Sequence, residues 1–147
     1  MAHFKLGLWQ DFVEGRFDLD LAINESLRYD PPLLALYRTT AREVKFGDCT
    51  IPEGTKVMMN FGAANRDPEI FKHPDRFIPE RRGSRHMSFG LGIHSCLGKE
   101  LAKLEAGVAL EALRTTFPKL ALINDGKRIP PFLFWGRSKL PVKNLAL

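Results

Sequence analysis

The stretch "MSFGLGIHSCLG", residues 87–98, sets one cysteine, Cys96, among three glycines with no second cysteine nearby. Directly after it, Leu97, Leu101, Leu104 and Val108 recur on one stripe with Ala112, and Pro118 stops the pattern. The spacing predicts a helix over 97–114 with Cys96 at its start. A sulfur in that position meets unpaired backbone N–H groups and the positive end of the helix dipole, which favours the thiolate. The glycines permit tight turns and let backbone come close to a large flat ligand.

A thiolate at a helix start can attack as a nucleophile, exchange with disulfides or bind a metal. Exchange calls for C-x-x-C, which does not occur here. A protease-type nucleophile calls for a neighbouring His and an orienting Asn or Asp. His94 is close in sequence, but no local signature of that chemistry accompanies it. Zinc calls for three or four Cys and His ligands, and two cysteines with four histidines stand here without metal-site spacing. A haem iron needs one thiolate only, because the porphyrin supplies four other ligands. The plain alternative is a buried structural cysteine.

Working outward, Leu19, Ala22, Ile23 and Leu27 recur at helical spacing behind a candidate cap at Asp18, and Pro31-Pro32 ends the pattern. This predicts a helix over 18–29. Glu25 and Arg28 lie at i, i+3 on the side opposite its apolar stripe, where an exposed ion pair is the default. "LLALYRTTAREVKFGDCTIPEGTKVMMNF", residues 33–61, alternates strand-like runs with "FGDC" and "PEG", so hairpins are expected. Residues 65–88 carry Pro68, Pro74 and Pro79 without a sustained period, and read as ordered coil held by Phe71 and Phe77. The tail from Arg128 predicts a short strand, a turn at Gly136 and a final strand. No internal repeat is present.

The chain has 147 residues with 44% hydrophobic content, enough for one domain with a real core. It contains no apolar run of about eighteen residues and no basic-then-apolar leader, which reads as soluble and cytoplasmic. Cys49 and Cys96 do not make a disulfide framework and are expected reduced. Net charge is +5, with basic residues dispersed except in "ERRGSRH" at 80–86. That balance suits an acidic partner at most, or an ordinary solvated face, and no nucleic-acid motif accompanies it.

"FGLGIHSCLG", with Phe89, Gly92, Cys96 and Gly98 at its fixed positions, resembles the haem-binding signature of the cytochrome P-450 haem-thiolate monooxygenases. "NESLRYDPP" carries a similar E-x-x-R as Glu25 and Arg28, and "GAANRDPEIFKHPDRFIPERR" resembles the stretch through the family's meander, with Arg81 in its "PER" position. All three stand in family order, from about Asp18 to the C-terminus. The branch that the histidine two before the cysteine, "YDPP" and "AANRDP" look like is the soluble bacterial one.

The resemblance implies an α+β, mainly helical fold, the C-terminal part of the cytochrome P-450 fold. It comprises the E-x-x-R helix, small β hairpins, the meander, the cysteine loop and a long helix. Residues 18–147 would be the haem-binding portion, and 1–17 an uncertain start or junction. The implied cofactor is haem b, iron protoporphyrin, with Cys96 as metal ligand and catalytic residue pushing electron density onto the iron. Glu25 and Arg28 would be buried against Arg81, locking the meander under the haem.

Arg38, His86 and His94 would pair with the haem propionates; for His86 a solvated loop histidine is the alternative. Leu34, Leu36, Leu133 and Phe134 would touch an apolar substrate, with core packing as the alternative for each. The implied activity is monooxygenation of a small apolar molecule with O2 and electrons from a redox partner. An acidic ferredoxin or flavoprotein would meet Lys99, Lys103 and Arg114 on one face of the last helix, unless that face is merely solvated.

The family's central acid-alcohol motif, A/G-G-x-D/E-T-T, does not occur in these residues, and "GDCT" at 47–50 falls in a hairpin turn. Two other readings therefore stay open: a stand-alone haem-thiolate protein with a peroxidase-like or sensing role, and a haem-free remnant. The Leu97 stripe is expected to be exposed and to drive association, as a homodimer or with a separate N-terminal portion. Smaller departures are Arg82, where many relatives have Phe, and Cys49, where Gly is common.

Overall fold

The computed structural model describes residues 7–83, 85–129 and 133–145. Helix α1, Leu8–Val13, buries Trp9 and Phe12. Residues 8–13 belong to the segment expected to be an uncertain start, yet they pack on the rest of the chain. Trp9 Nε1 donates to the Pro118 carbonyl at 3.2 Å, and the Arg114 guanidinium lies 5.2 Å from the centre of the Phe12 ring.

Helix α2, Leu19–Tyr29, begins as its sequence requires: the Asp18 carboxylate accepts from the Leu21 N–H at 2.9 Å. A cap of this kind contributes about 1 kcal/mol. Its apolar side buries Ala22 and Ile23, but Glu25 and Arg28 are buried as well. Helical periodicity alone would have left that second face in water.

The hairpins nest. Strand β1, Ala35–Thr39, pairs antiparallel with β4, Lys56–Asn60, placing Leu36 opposite Met59 and Arg38 opposite Val57. Between them β2, Val44–Phe46, and β3, Cys49–Ile51, form an exposed inner hairpin turned by Gly47 at φ 58°. The Asn60 side chain caps the short helix α3, Phe61–Ala64, which buries Phe61. The coil that follows is ordered as expected, with Phe71 buried and Phe77 edge-on to Tyr29 at 5.7 Å.

Two 3-10 turns, Met87–Phe89 and Gly92–His94, lead to the long helix α4, Lys99–Thr116. It starts two residues later than its apolar spacing suggests, because its first helical bond runs from the Ala102 N–H to the Gly98 carbonyl. Leu97, Leu101, Leu104 and Val108 are all exposed, and among the described residues α4 buries none of its own. Small ladders complete the fold: β5, Leu120–Leu122, with β8, Val142–Asn144, and β6, Lys127–Arg128, with β7, Arg137–Lys139. Among the described residues no helix is long and apolar enough to cross a membrane.

Candidate functional site

The site is built from α2 upward. Arg28 has no exposed surface, and its five N–H donors all find acceptors. Two go to the Glu25 carboxylate at 2.7 and 2.8 Å, and three to the carbonyls of Asn65, Pro74 and Arg76 at 2.8 to 3.0 Å. Glu25 accepts further from Arg81 Nε at 3.0 Å and from the Ile78 N–H at 2.8 Å. The remaining donors of Arg81 reach the carbonyls of Lys72, His73 and Arg76. Three charged side chains thus thread the coil 65–81 onto one helix face, and their burial follows from this full satisfaction.

From that platform the chain enters the cysteine loop. The Cys96 N–H donates to the Phe89 carbonyl at 2.7 Å, closing the loop, and the Gly90 N–H donates to the Met87 carbonyl at 2.8 Å. Gly90, at φ 65° and ψ −175°, holds a conformation open only to glycine, and a Cβ there would lie 3.2 Å from the His94 carbonyl oxygen. Gly98 differs. Its φ of −84° suits any residue and a Cβ would meet nothing within 4 Å, so the chain's own packing gives no reason for glycine there. The thiol of Cys96 is exposed and free.

A cavity of about 290 Å³ opens beside the loop, lined by Cys96, Phe89, His94 and Arg38 together with the apolar Leu33, Leu36, Met59 and Phe61. One thiol, two basic side chains and apolar walls fit the group implied by the signature. The sulfur can ligate an iron, the walls suit a macrocycle, and Arg38 and His94 suit its carboxylates. Among the described residues no three His, Cys, Asp or Glu side chains converge as a metal site.

Other expected residues are placed differently. His86 does not line this cavity. It is 8% exposed, its Nδ1 accepts from the Ser88 N–H at 3.3 Å, and its ring lies 6.0 Å from that of Phe89. Burial, followed by the charges of Lys99, Lys103 and Arg28, lowers its pKa from 6.5 to about 4 despite the opposing influence of Glu25. A buried imidazole of this kind is not the solvated loop histidine weighed above.

Leu36 lines the cavity, but Leu34 does not. Leu34 turns to a second recess with Met58, Asn60 and Trp135, its Cδ2 against Gly62. Leu33 takes the anticipated place because its bridge to Phe134 precedes β1, where strand alternation has not begun. Leu133 and Phe134 adjoin this edge, Leu133 through its carbonyl to the Leu34 N–H at 2.8 Å, without lining the cysteine cavity. Arg114 is paired with Glu111 at 2.6 Å and stacked over Phe12, which leaves Lys99 and Lys103 as the basic residues nearer the cysteine end of α4.

Sequence reasoning missed Met59 and Phe61, although the antiparallel register that sets Met59 across from Leu36 follows from alternation in "KVMMN". It also missed Asn65 and Ser88, for which no periodic signal exists.

The Cytochrome P-450 family model matches residues 19–142. Cytochrome P-450 119 of Sulfolobus acidocaldarius is 41% identical over 139 residues, covering 95% of this chain and 37% of that protein. 6-Deoxyerythronolide B hydroxylase of Saccharopolyspora erythraea is 45% identical over 119 residues, 81% of this chain and 28% of that one. Among solved structures, CYP109E1 from Bacillus megaterium in complex with testosterone superposes with a TM-score of 0.93 at 29% identity, covering 99% of this chain and 41% of its own. The chain thus spans 28 to 41% of the length of these relatives. With the cysteine signature, the buried E-x-x-R helix and the fold all in agreement with these matches, the chain belongs to the cytochrome P-450 family.

Proposed function

We propose that residues 18–147 are the haem-binding portion of a cytochrome P-450 monooxygenase, in which the Cys96 sulfur would ligate the iron of haem b. One observation carries the reading: Cys96, Arg38 and His94 line a single apolar recess. The unexplained glycine at Gly98 supports it, since clearance for a ligand accounts for a side chain that neither conformation nor packing excludes. When bound, a thiolate-ligated haem supplies activation of O2 for oxygen insertion into an unreactive substrate.

The chain's own residues do the rest. Cys96 would donate electron density through sulfur, and the loop closed by its N–H bond to the Phe89 carbonyl holds that residue in place. Arg38 and His94 would bind the two carboxylates, through charge-assisted bonds about twice as strong as neutral ones. Leu33, Leu36, Met59 and Phe61 exclude water from the recess and favour an apolar substrate. The testosterone of the CYP109E1 complex belongs to that class of ligand. Lys99 and Lys103, next to the cysteine loop, would steer an acidic ferredoxin or flavoprotein. The exposed stripe from Leu97 to Val108 would be covered by a second copy or by further polypeptide of the family fold.

The test is the absorption spectrum of the chain reconstituted with iron protoporphyrin, reduced and treated with carbon monoxide. The wild type should show the thiolate-type Soret band, and Cys96→Ser should lose it. A thiolate band without turnover, even with a redox partner, would favour the stand-alone haem protein, and absence of any haem uptake would overturn the proposal.

A further inference from the structure

We infer that Asn65, acting through Met87 and Ser88, is a positioning residue for the Cys96 sulfur. This deepens the reading of Cys96 as the axial ligand and rests on it. Asn65 has no exposed surface, and both its backbone and its side chain are committed. Its N–H donates to the Phe61 carbonyl at 2.9 Å and its own carbonyl accepts from Arg28 at 2.8 Å. Its side-chain Oδ1 accepts from the Met87 N–H at 2.6 Å, and Nδ2 donates to Ser88 Oγ at 3.0 Å. Ser88 Oγ then donates to the Leu27 carbonyl at 2.6 Å. One amide therefore joins the charged platform on α2 to the first turn of the cysteine loop.

What hangs from that turn is otherwise loosely held. Among the described residues, the backbone bonds of residues 90–98 run only within the loop, to Met87 and Phe89, and to the start of α4. Every residue from Leu91 to Gly98 is exposed. The Phe89 carbonyl that receives the Cys96 N–H is thus one residue from the Asn65 and Ser88 bonds, and its position is inherited from them.

The residue type follows from the two jobs. Oδ1 must accept from an N–H, while Nδ2 must donate to a hydroxyl whose own hydrogen is already given to Leu27. Aspartate has the same shape but would set one acceptor against another, so Asn65→Asp removes the lock with little change of volume. Ser88→Ala removes its other half, and Ser88→Thr retains the hydroxyl.

The experiment measures amide hydrogen exchange by NMR in the full 147-residue chain, with and without iron protoporphyrin. In Asn65→Asp and Ser88→Ala the Cys96 and Met87 amides should exchange about tenfold faster relative to the α4 interior, as loss of one buried hydrogen bond implies. Ser88→Thr should restore the ratio. In the haem-loaded variants a fraction of the reduced carbon monoxide complex should move from the thiolate-type to the thiol-type band. Phe12→Leu, in α1 and remote from the loop, serves as the control and should move all amides together. The inference is overturned if the cysteine-loop and α4 amides accelerate equally in Asn65→Asp, or if the Cys96 amide is unchanged. A wild type without a thiolate band would instead sink the functional reading, and the exchange ratio would still decide whether Asn65 holds the loop.

Discussion

At the scale of single residues, the glycines of the cysteine loop separate folding from binding. Gly90→Ala puts a side chain into a glycine-only conformation and against the His94 carbonyl, and should cost about 1–3 kcal/mol in urea unfolding. Gly98→Ala meets no obstacle, so stability should change by no more than about 1 kcal/mol, an end effect on α4. Haem titration should nevertheless show weaker binding in Gly98→Ala, because the added methyl fills space assigned to the ligand. His86 gives a pH signature. Its folded-state pKa of about 4 lies below the ordinary 6.5, so between these values the unfolded chain binds the proton and the folded chain does not. Stability should therefore fall as pH drops from 6.5 towards 4. His86→Asn keeps an acceptor for the Ser88 N–H and removes the titration, so urea midpoints across that range should show a flatter slope.

At the scale of elements, α2 is held by its apolar stripe and by the charged face opposite. Breaking a buried ion pair by altering one partner costs about 3–5 kcal/mol, because the remaining charge is left without compensation. Arg28→Lys keeps the charge but has three donors where five acceptors wait, so chemical denaturation should show a loss approaching that range. The tail is tied to the C-terminus of α2 by Asp30, whose carboxylate accepts from Arg128 at 2.8 and 3.0 Å and from Trp135 Nε1 at 2.6 Å. The Arg128 guanidinium also stacks 4.2 Å from the Trp135 ring centre. This clamp fixes the tail near Leu33, at the edge of the cysteine cavity.

At the scale of the molecule, α4 presents Leu101, Leu104 and Val108 to solvent on one stripe, with the exposed Leu97 just ahead of it. Contiguous apolar area of this kind drives association. The chain alone should sediment as a dimer or larger species, and the double variant Leu104→Glu with Val108→Glu should shift it towards monomer. A monodisperse wild-type monomer would refute this. The helix meets α2 where Gly107 approaches Ile23, and it is otherwise largely unburied.

Local rules determined much of this in advance. The Asp18 cap, the proline stops, the hairpins and the helix after Cys96 each follow from neighbours in sequence, and the cysteine signature marks the proposed ligand position by its spacing. What tertiary structure alone decided is which side chains are removed from water by segments far along the chain. Glu25 and Arg28 look solvent-facing by periodicity and become the most buried charges because coil 65–81 folds over them. His86 loses its proton to that burial, Leu33 displaces Leu34 at the cavity wall through a bridge to Phe134, and Asn65 acquires partners from two distant segments, Arg28 on one side and Met87 and Ser88 on the other. The physical reason is common to all four. Periodicity records how a residue faces within its own element, whereas desolvation and hydrogen-bond satisfaction depend on what distant parts of the chain bring to it.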